Sequence, residues 1–540
     1  MNWVINRMIE RMSTLAAPWS QRLMTSALAL SLAFSQPSGL HAQDRSRGVD
    51  HLPALGEAAV DELSPAAEQR LGDQIFQELL RVGVVHDDPE ATDVMARQSQ
   101  RLLAASRQLG HSSEDQPFRF FLVKDATINA FAMPGGYIGI HTGLITASDR
   151  EAEVMSVVAH EIGHVTQRHI ARMFGQQRQG SAVMIAAAVL AALAARSSPD
   201  AAMGMLSLGQ TVALREQLAF SRDAEREADR VGLQILAESG FDPSAMSSMF
   251  ERLGQAGRLY DNNAPTYLRT HPLTTDRIAD IQSRLQNEPG LGRLAGSDNS
   301  LEFDWLRAKL AALADSRVDG LRNARSRLVL QLKDPKFSSA QLQSATHFGL
   351  SWVSLQQRDF TAASDHRAQA QAKIRGHRSE PLAQPLLDHL QLQILLAATE
   401  TAEQKKELDQ LAGEMAARHP RSRAVMRLAV LARLTAGISG DESAALARDA
   451  AQQWANDPQV WALLARAESA RGRKTAQHAA LAEQYALAGA TAAAIEQLTL
   501  ARTAADADFV TLSRIDSRLT SLRAALRRDQ IERQQSGGRN

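Results

Sequence analysis

The chain has 540 residues, long enough for two or more domains. With 44% hydrophobic residues, 22% charged residues and a formal net charge of +0, it reads as a folded protein, and nucleic-acid binding has little electrostatic support. Cysteine is absent, so disulfides and thiolate metal sites are excluded and any metal must be held by histidine and carboxylate side chains.

Near the N-terminus, Arg22 precedes LMTSALALSLAFS (23–35), an apolar run of signal-peptide length. QPSGLHAQD follows, with the small Ala42 placed before a possible cut. Residues 1–42 are therefore expected to be a signal peptide and the mature protein to be exported. Met12 is an alternative start, and a buried N-terminal helix is the plainer alternative. No cysteine follows the run, so a lipid anchor is not supported.

Residues 60–108 carry helical periodicity. In LSPAAEQRLGDQIFQELL, Ser64 stands as the N-cap and Pro65 at the first helical position. FRFFLVKD (118–125) has strand composition, and AFAMPGGYIGIHTGLI (130–145) reads as two short strands about Pro134-Gly135-Gly136. Helical pattern returns from Ser148 to Phe174 and over 201–239. Between them, AVMIAAAVLAALAA (182–195) is shorter than the ~18 apolar residues a bilayer span requires. It reads as a buried helix or as a hairpin resting on a membrane surface.

Residues 287–300, rich in Gly, Asn and Ser, read as a linker. Beyond 300 the chain is almost wholly helical. Trp461, Leu464, Ala465 and Gly472 fall at tetratricopeptide spacing, Phe348, Gly349 and Trp352 match part of it, and Phe360 and Ala363 lie slightly out of register. Pro420 and Pro458 precede successive helices. The expected architecture is mainly α (α+β). A first domain with a small β-sheet spans 43–290, and a linker spans 291–300. An all-α, tetratricopeptide-like repeat domain covers 301–530, with a disordered tail over 531–540. Stacked helical pairs present a concave surface suited to protein segments.

The chemistry concentrates in VVAHEIGHVTQRH (157–169). An HExxH motif on a helix sets His160 and His164 one turn apart on one face, within reach of one zinc ion, with Glu161 beside the first as general base. Alone the motif is weak, but the flanking residues Val157, Val158, Ala159, Ile162, Gly163 and Val165 make a mostly apolar helix with three polar residues. The third ligand sets the class. Position 170 is Ile, which argues against a metzincin, and His169 lies about 140° round a continuous helix from His164. In SRDAEREADRVG (221–232), Glu225 and Asp229 share a helix face. This is the gluzincin arrangement, with Glu225 as metal ligand and Asp229 accepting an N–H from a ligating imidazole. Glu227 is the rival ligand. Ala224 and Ala228 give the helix a small face for close packing.

HEIGH, SRDAEREAD and HPLTTDRI (271–278) together resemble the M48 family of zinc metallopeptidases, in its periplasmic branch, over residues 60–285. The resemblance implies a gluzincin-type metalloprotease domain over 43–290, one Zn2+ per chain and further roles. Asn129 and Ala130 would belong to a substrate-binding edge strand, or to a hairpin with only a structural role. His271 and Arg277 match a His-Pro…Arg element. His271 would stabilise an oxyanion or plug the open metal position, or it would merely cap a helix.

The implied activity is that of a periplasmic zinc endopeptidase acting on misfolded outer-membrane or periplasmic proteins recruited by the repeats. Outer-membrane assembly machinery is the expected partner, and 182–195 a possible peripheral membrane contact. Nearly half the chain carries no catalytic motif, which leaves a second reading open: a chaperone or assembly factor with a latent protease site.

Overall fold

The computed structural model describes residues 63–176, 221–259, 266–288, 291, 299–377 and 380–537. The expected signal peptide and the 182–195 run lie outside them. Among the described residues, no helix is long and apolar enough to cross a membrane.

Helix α1 (Pro65–Arg81) starts where S-P announced it, with the Ser64 hydroxyl accepting the Ala67 amide at 3.3 Å. Asp88 caps α2 (Pro89–Gln108) in the same manner. Three strands follow: β1 (Arg119–Val123), β2 (Ala130–Met133) and β3 (Tyr137–His141). Their order is β1-β3-β2, with β3 central, parallel to β1 and antiparallel to β2. The Pro134–Gly136 turn needs its glycines. Gly136 sits at φ 76°, and a Cβ there would lie 2.0 Å from the Pro117 carbonyl oxygen.

Short α3 (Thr142–Ala147) leads to α4 (Glu151–Thr166), which carries the HExxH motif and is buried from Glu151 to Val165. A helix apolar over most of its surface belongs at the centre of a domain. Around it lie α2, β2 and two further helices, α6 (Arg222–Glu238) and α7 (Ser244–Leu259). Val154, Val158, Ile162, Val231, Ile235 and Met249 are core residues there. Helices α5 (His169–Gln176), α8 (Thr266–Thr270) and α9 (Thr275–Asn287) complete this half.

The second half is a succession of helices: α10 (Leu301–Ala312), α11 (Val318–Gln331), α12 (Ala340–Gln356), α13 (Phe360–Lys373), α14 (Glu380–Ala398), α15 (Ala402–Arg418), α16 (Arg423–Ala436), α17 (Gly440–Gln453), α18 (Pro458–Ala470), α19 (Lys474–Leu487), α20 (Thr491–Thr503) and α21 (Phe509–Gly537). From α12 onward each packs on its successor, as helical repeats do. The last helix reaches Gly537, into the stretch expected to be a tail. Residues chosen for repeat spacing occupy packing positions: Phe348 and Trp352 are buried, and Gly349 lies against α10. The two halves share α10. Its Phe303, Leu306 and Leu310 enter the core of the first half, while Leu301 and Trp305 enter the first core of the helical half. The end of the expected linker is tied down as well, because Asn299 donates to the Asp149 carbonyl at 3.0 Å.

Candidate metal centre

Helices α4 and α6 cross at glycine. A Cβ on Gly232 would meet the His160 backbone nitrogen at 2.9 Å, and one on Gly163 would meet the Ala228 carbonyl oxygen at 3.0 Å. Ala228, fully buried, belongs to the small face expected from the sequence. This close approach sets the carboxylate of α6 against the imidazoles of α4.

One nitrogen or oxygen atom from each of His160, His164, Glu225 and His271 lies within 4.8 Å of the others, and all four residues are buried. The His160 and His164 Nε2 atoms are 2.9 Å apart, and Glu225 Oε1 is 3.4 Å from His164 Nε2. Each ring has its other nitrogen engaged elsewhere: His160 Nδ1 is 2.9 Å from Asp229 Oδ1, and His164 Nδ1 is 2.9 Å from His169 Nδ1. Two Nε2 lone pairs and a carboxylate thus converge on one point, a donor set that fits a metal cation. Burial pushes the His164 imidazole well below its ordinary pKa and favours the neutral, ligating form.

Glu161 is fully buried beside this group. Neither carboxylate oxygen accepts a hydrogen bond among the described residues, and His271 Nε2 is 3.4 Å from Oε1. His271 completes the cluster, with Nδ1 2.9 Å from Glu225 Oε1 and 3.4 Å from His160 Nε2. Burial opposes charge on His271, but Glu225 and Glu161 outweigh it and raise its pKa. Arg277, at the start of α9, clasps Asp229 with two N–H bonds of 2.7 Å and reaches Glu225 Oε2 at 2.7 Å. The sequence elements quoted around HEIGH, EREAD and HP…R therefore meet in space.

Asn129 and Ala130 lie at the start of strand β2. Strand β2 is an edge of the sheet and packs against α4, but both residues are buried. The Asn129 carbonyl accepts the His141 amide at 3.0 Å. Glu227, the rival ligand, turns away from the cluster: its Oε2 is 3.0 Å from His169 Nε2 and 2.7 Å from Arg172 Nη2. Two residues escaped sequence reasoning. Tyr267 stacks on the His271 ring at 4.6 Å, and its buried hydroxyl finds no hydrogen-bond partner among the described residues. Its spacing of four from His271 was the available signal. His169, set aside as a ligand, touches one through its ring.

Residues 93–285 match the model of peptidase family M48. The chain is 32% identical over 478 residues to the β-barrel assembly-enhancing protease of Escherichia coli K12, covering 88% of this chain and 91% of that protein. The protein of the same name from Yersinia pestis is 30% identical over 515 residues, 93% and 98% of the two chains. Metalloprotease LoiP of Escherichia coli K12 is 30% identical over 230 residues, 41% of this chain and 82% of its own length. The longer similarities run well past the M48 segment into the helical half. On this likeness, and with its buried donor cluster assembled from the matched segment, the chain belongs to peptidase family M48 and is a metallopeptidase.

Proposed function

We propose that the protein is a zinc endopeptidase of the bacterial periplasm that degrades misfolded or misassembled envelope proteins. The observation that carries this reading is the set of four buried donors within 4.8 Å with the Glu161 carboxylate beside them. His160, His164 and Glu225 would hold the ion. A histidine and carboxylate donor set without thiolate suits zinc in a hydrolase. Bound there, the ion polarises the scissile carbonyl and makes a water molecule acidic.

Glu161 takes the proton of the attacking water at a carboxylate oxygen and delivers it to the leaving amine nitrogen. Asp229 fixes the His160 tautomer through Nδ1, and Arg277 fixes Asp229. The β2 edge, including Asn129 and Ala130, would pair with an extended substrate backbone. The signal-like N-terminus supports export. The relatives named for β-barrel assembly support an envelope role, in which the helical half recruits substrates or assembly machinery and 182–195 rests on a membrane surface.

Glu161→Gln tests the mechanism. Cleavage of an unfolded protein should fall by about 10²- to 10⁴-fold while the metal is retained. Undiminished cleavage overturns the reading.

The position of His271 favours a second reading, in which the centre is latent and the protein acts chiefly in assembly. His271 reaches the cluster from the turn after α8, and as a ligand it would take the position that a substrate carbonyl or water needs. Under this reading His271→Ala raises basal cleavage, and full-length Glu161→Gln complements a deletion strain as well as the unaltered gene. Failure of Glu161→Gln to complement returns the role to proteolysis. Deleting the helical half is not a clean test, since Phe303, Leu306 and Leu310 would leave the protease-half core.

A further inference from the structure

His169 and Glu227 were the two rejected ligand candidates, and the fold joins them. Helix α4 ends at Thr166, and Arg168 adopts a left-handed φ of 53° that breaks the helix before α5 begins at His169. The Arg168 guanidinium holds this turn by donating to the Leu63 carbonyl at 2.7 Å. The break brings the His169 ring to His164, where a continuous helix would have carried it away.

The hydrogen-bond directions then follow from chemistry. An imidazole that offers its Nε2 lone pair to a cation carries its proton on Nδ1. The His164 Nδ1–H therefore donates to His169 Nδ1 across 2.9 Å. His169, accepting at Nδ1, carries its proton on Nε2 and donates to Glu227 Oε2 across 3.0 Å. Arg172 Nη2 donates to the same oxygen at 2.7 Å. The reverse assignment fails at both ends. It would protonate the His164 nitrogen that faces the donor cluster and point a bare His169 nitrogen at a carboxylate.

We propose that His169 and Glu227 are positioning residues for the metal centre, forming a relay that fixes the tautomer and ring orientation of His164 as Asp229 does for His160. The inference rests on the reading of His164 as a ligand. Both histidines thus end in an arginine-clasped carboxylate, Asp229 with Arg277 and Glu227 with Arg172. One line is direct, and the other passes through an intervening imidazole. Such outer partners are worth about 10- to 100-fold in metal affinity.

The test uses the full-length chain, zinc, competition with a chromophoric chelator, and the absorption spectrum of the cobalt-substituted protein. His169→Phe keeps the ring and removes the acceptor. Zinc should bind about 10- to 100-fold more weakly, with an altered cobalt spectrum. His169→Asn places an oxygen where Nδ1 stood, so it should recover part of that loss. Glu227→Gln, on the partly exposed side, should weaken binding less than His169→Phe does. If His169→Phe binds zinc as tightly as the unaltered chain, or if His169→Asn is no better than His169→Phe, the relay is overturned. Should His169→Phe fail to fold, unchanged affinity in Glu227→Gln overturns it instead. His164→Ala separates the two levels. If that variant keeps tight zinc binding, the ligand assignment itself is wrong.

Discussion

The molecule buries charge in two places, on opposite logic. At the metal centre, Arg277 pairs with Glu225 and Asp229, while the buried Glu161 carboxylate pairs with no guanidinium among the described residues, so buried carboxylates gather where a cation would sit. Where α2 meets the helical half, Asp88 and Glu90 are balanced from within. Lys309 of α10 contacts both, and His389 Nδ1 of α14 is 2.9 Å from Glu90 Oε1. Lys309 also lies 4.6 Å over the Trp352 ring. Around this knot, Arg423 and Arg427 of α16 pair with Asp93 and Asp87 at 2.7 and 2.8 Å. The first cluster is built to take up an ion, and the second to hold the two halves together.

Breaking the self-neutralised cluster should cost most in stability. Lys309→Met leaves Asp88 and Glu90 buried without their cation, and a broken buried pair costs about 3–5 kcal/mol. Urea unfolding measures this. Lys309→Met combined with Asp88→Asn and Glu90→Gln should recover most of the loss, because no uncompensated charge remains. If the combined variant is as unstable as Lys309→Met, then packing rather than charge holds the joint.

Chelation is the matching experiment at the other cluster. A cation that binds only the folded chain contributes about 2.7 kcal/mol at a hundredfold excess over its dissociation constant. Removing it should lower the thermal midpoint and abolish cleavage together, and zinc should restore both. Lys309→Met should leave the zinc-dependent part of the shift unchanged.

Acid separates the clusters further. Burial would raise Asp88 and Glu90, but Lys309 outweighs it for Asp88, and His389 with Lys309 does so for Glu90, so both sit below their ordinary values of 3.8 and 4.5. A depressed carboxyl contributes stability above its unfolded pKa and loses it as pH falls through the folded value. The unaltered chain should therefore lose stability faster than the neutralised triple variant below about pH 4.5, by up to ~1.4 kcal/mol per pH unit for each proton taken up. Parallel curves would show that the fold does not hold these carboxyls below their unfolded values.

What could be read beforehand follows the reach of each signal. HExxH and E-x3-D act within single helices, where spacing fixes the face, so His160, His164, Glu225 and Asp229 could be brought together on paper. The Pro-Gly-Gly turn announced two strands but not that β3 would be central, since composition says nothing of strand order. His169 was misplaced because its position depends on a left-handed Arg168, a conformation that arginine does not advertise. Lys309 carried no sign at all, because its partners lie 221 and 219 residues away.

The smallest expected effect tests why the metal cluster forms where it does. In α6, Gly232 is seven residues, or two turns, from Glu225, on the same face. Alanine there gains about 1 kcal/mol of helix propensity. Its Cβ, however, would meet three backbone atoms of α4: His160 N at 2.9 Å, His160 Cα at 3.0 Å and Ala159 C at 3.1 Å. Backbone cannot swing aside, and overpacking costs about 1–3 kcal/mol. Gly232→Ala should therefore be near neutral to mildly destabilising, while zinc affinity falls because the wedge moves Glu225 off His160. Gly163→Ala is the control at the same crossing. Its nearest contacts, the Ala228 oxygen at 3.0 Å and Cα at 3.2 Å, are backbone too but slightly farther, so the overpacking cost should be smaller and stability close to unchanged. Zinc affinity that drops equally in both would mean that the crossing as a whole, rather than the Gly232 contact, sets the Glu225–His160 distance.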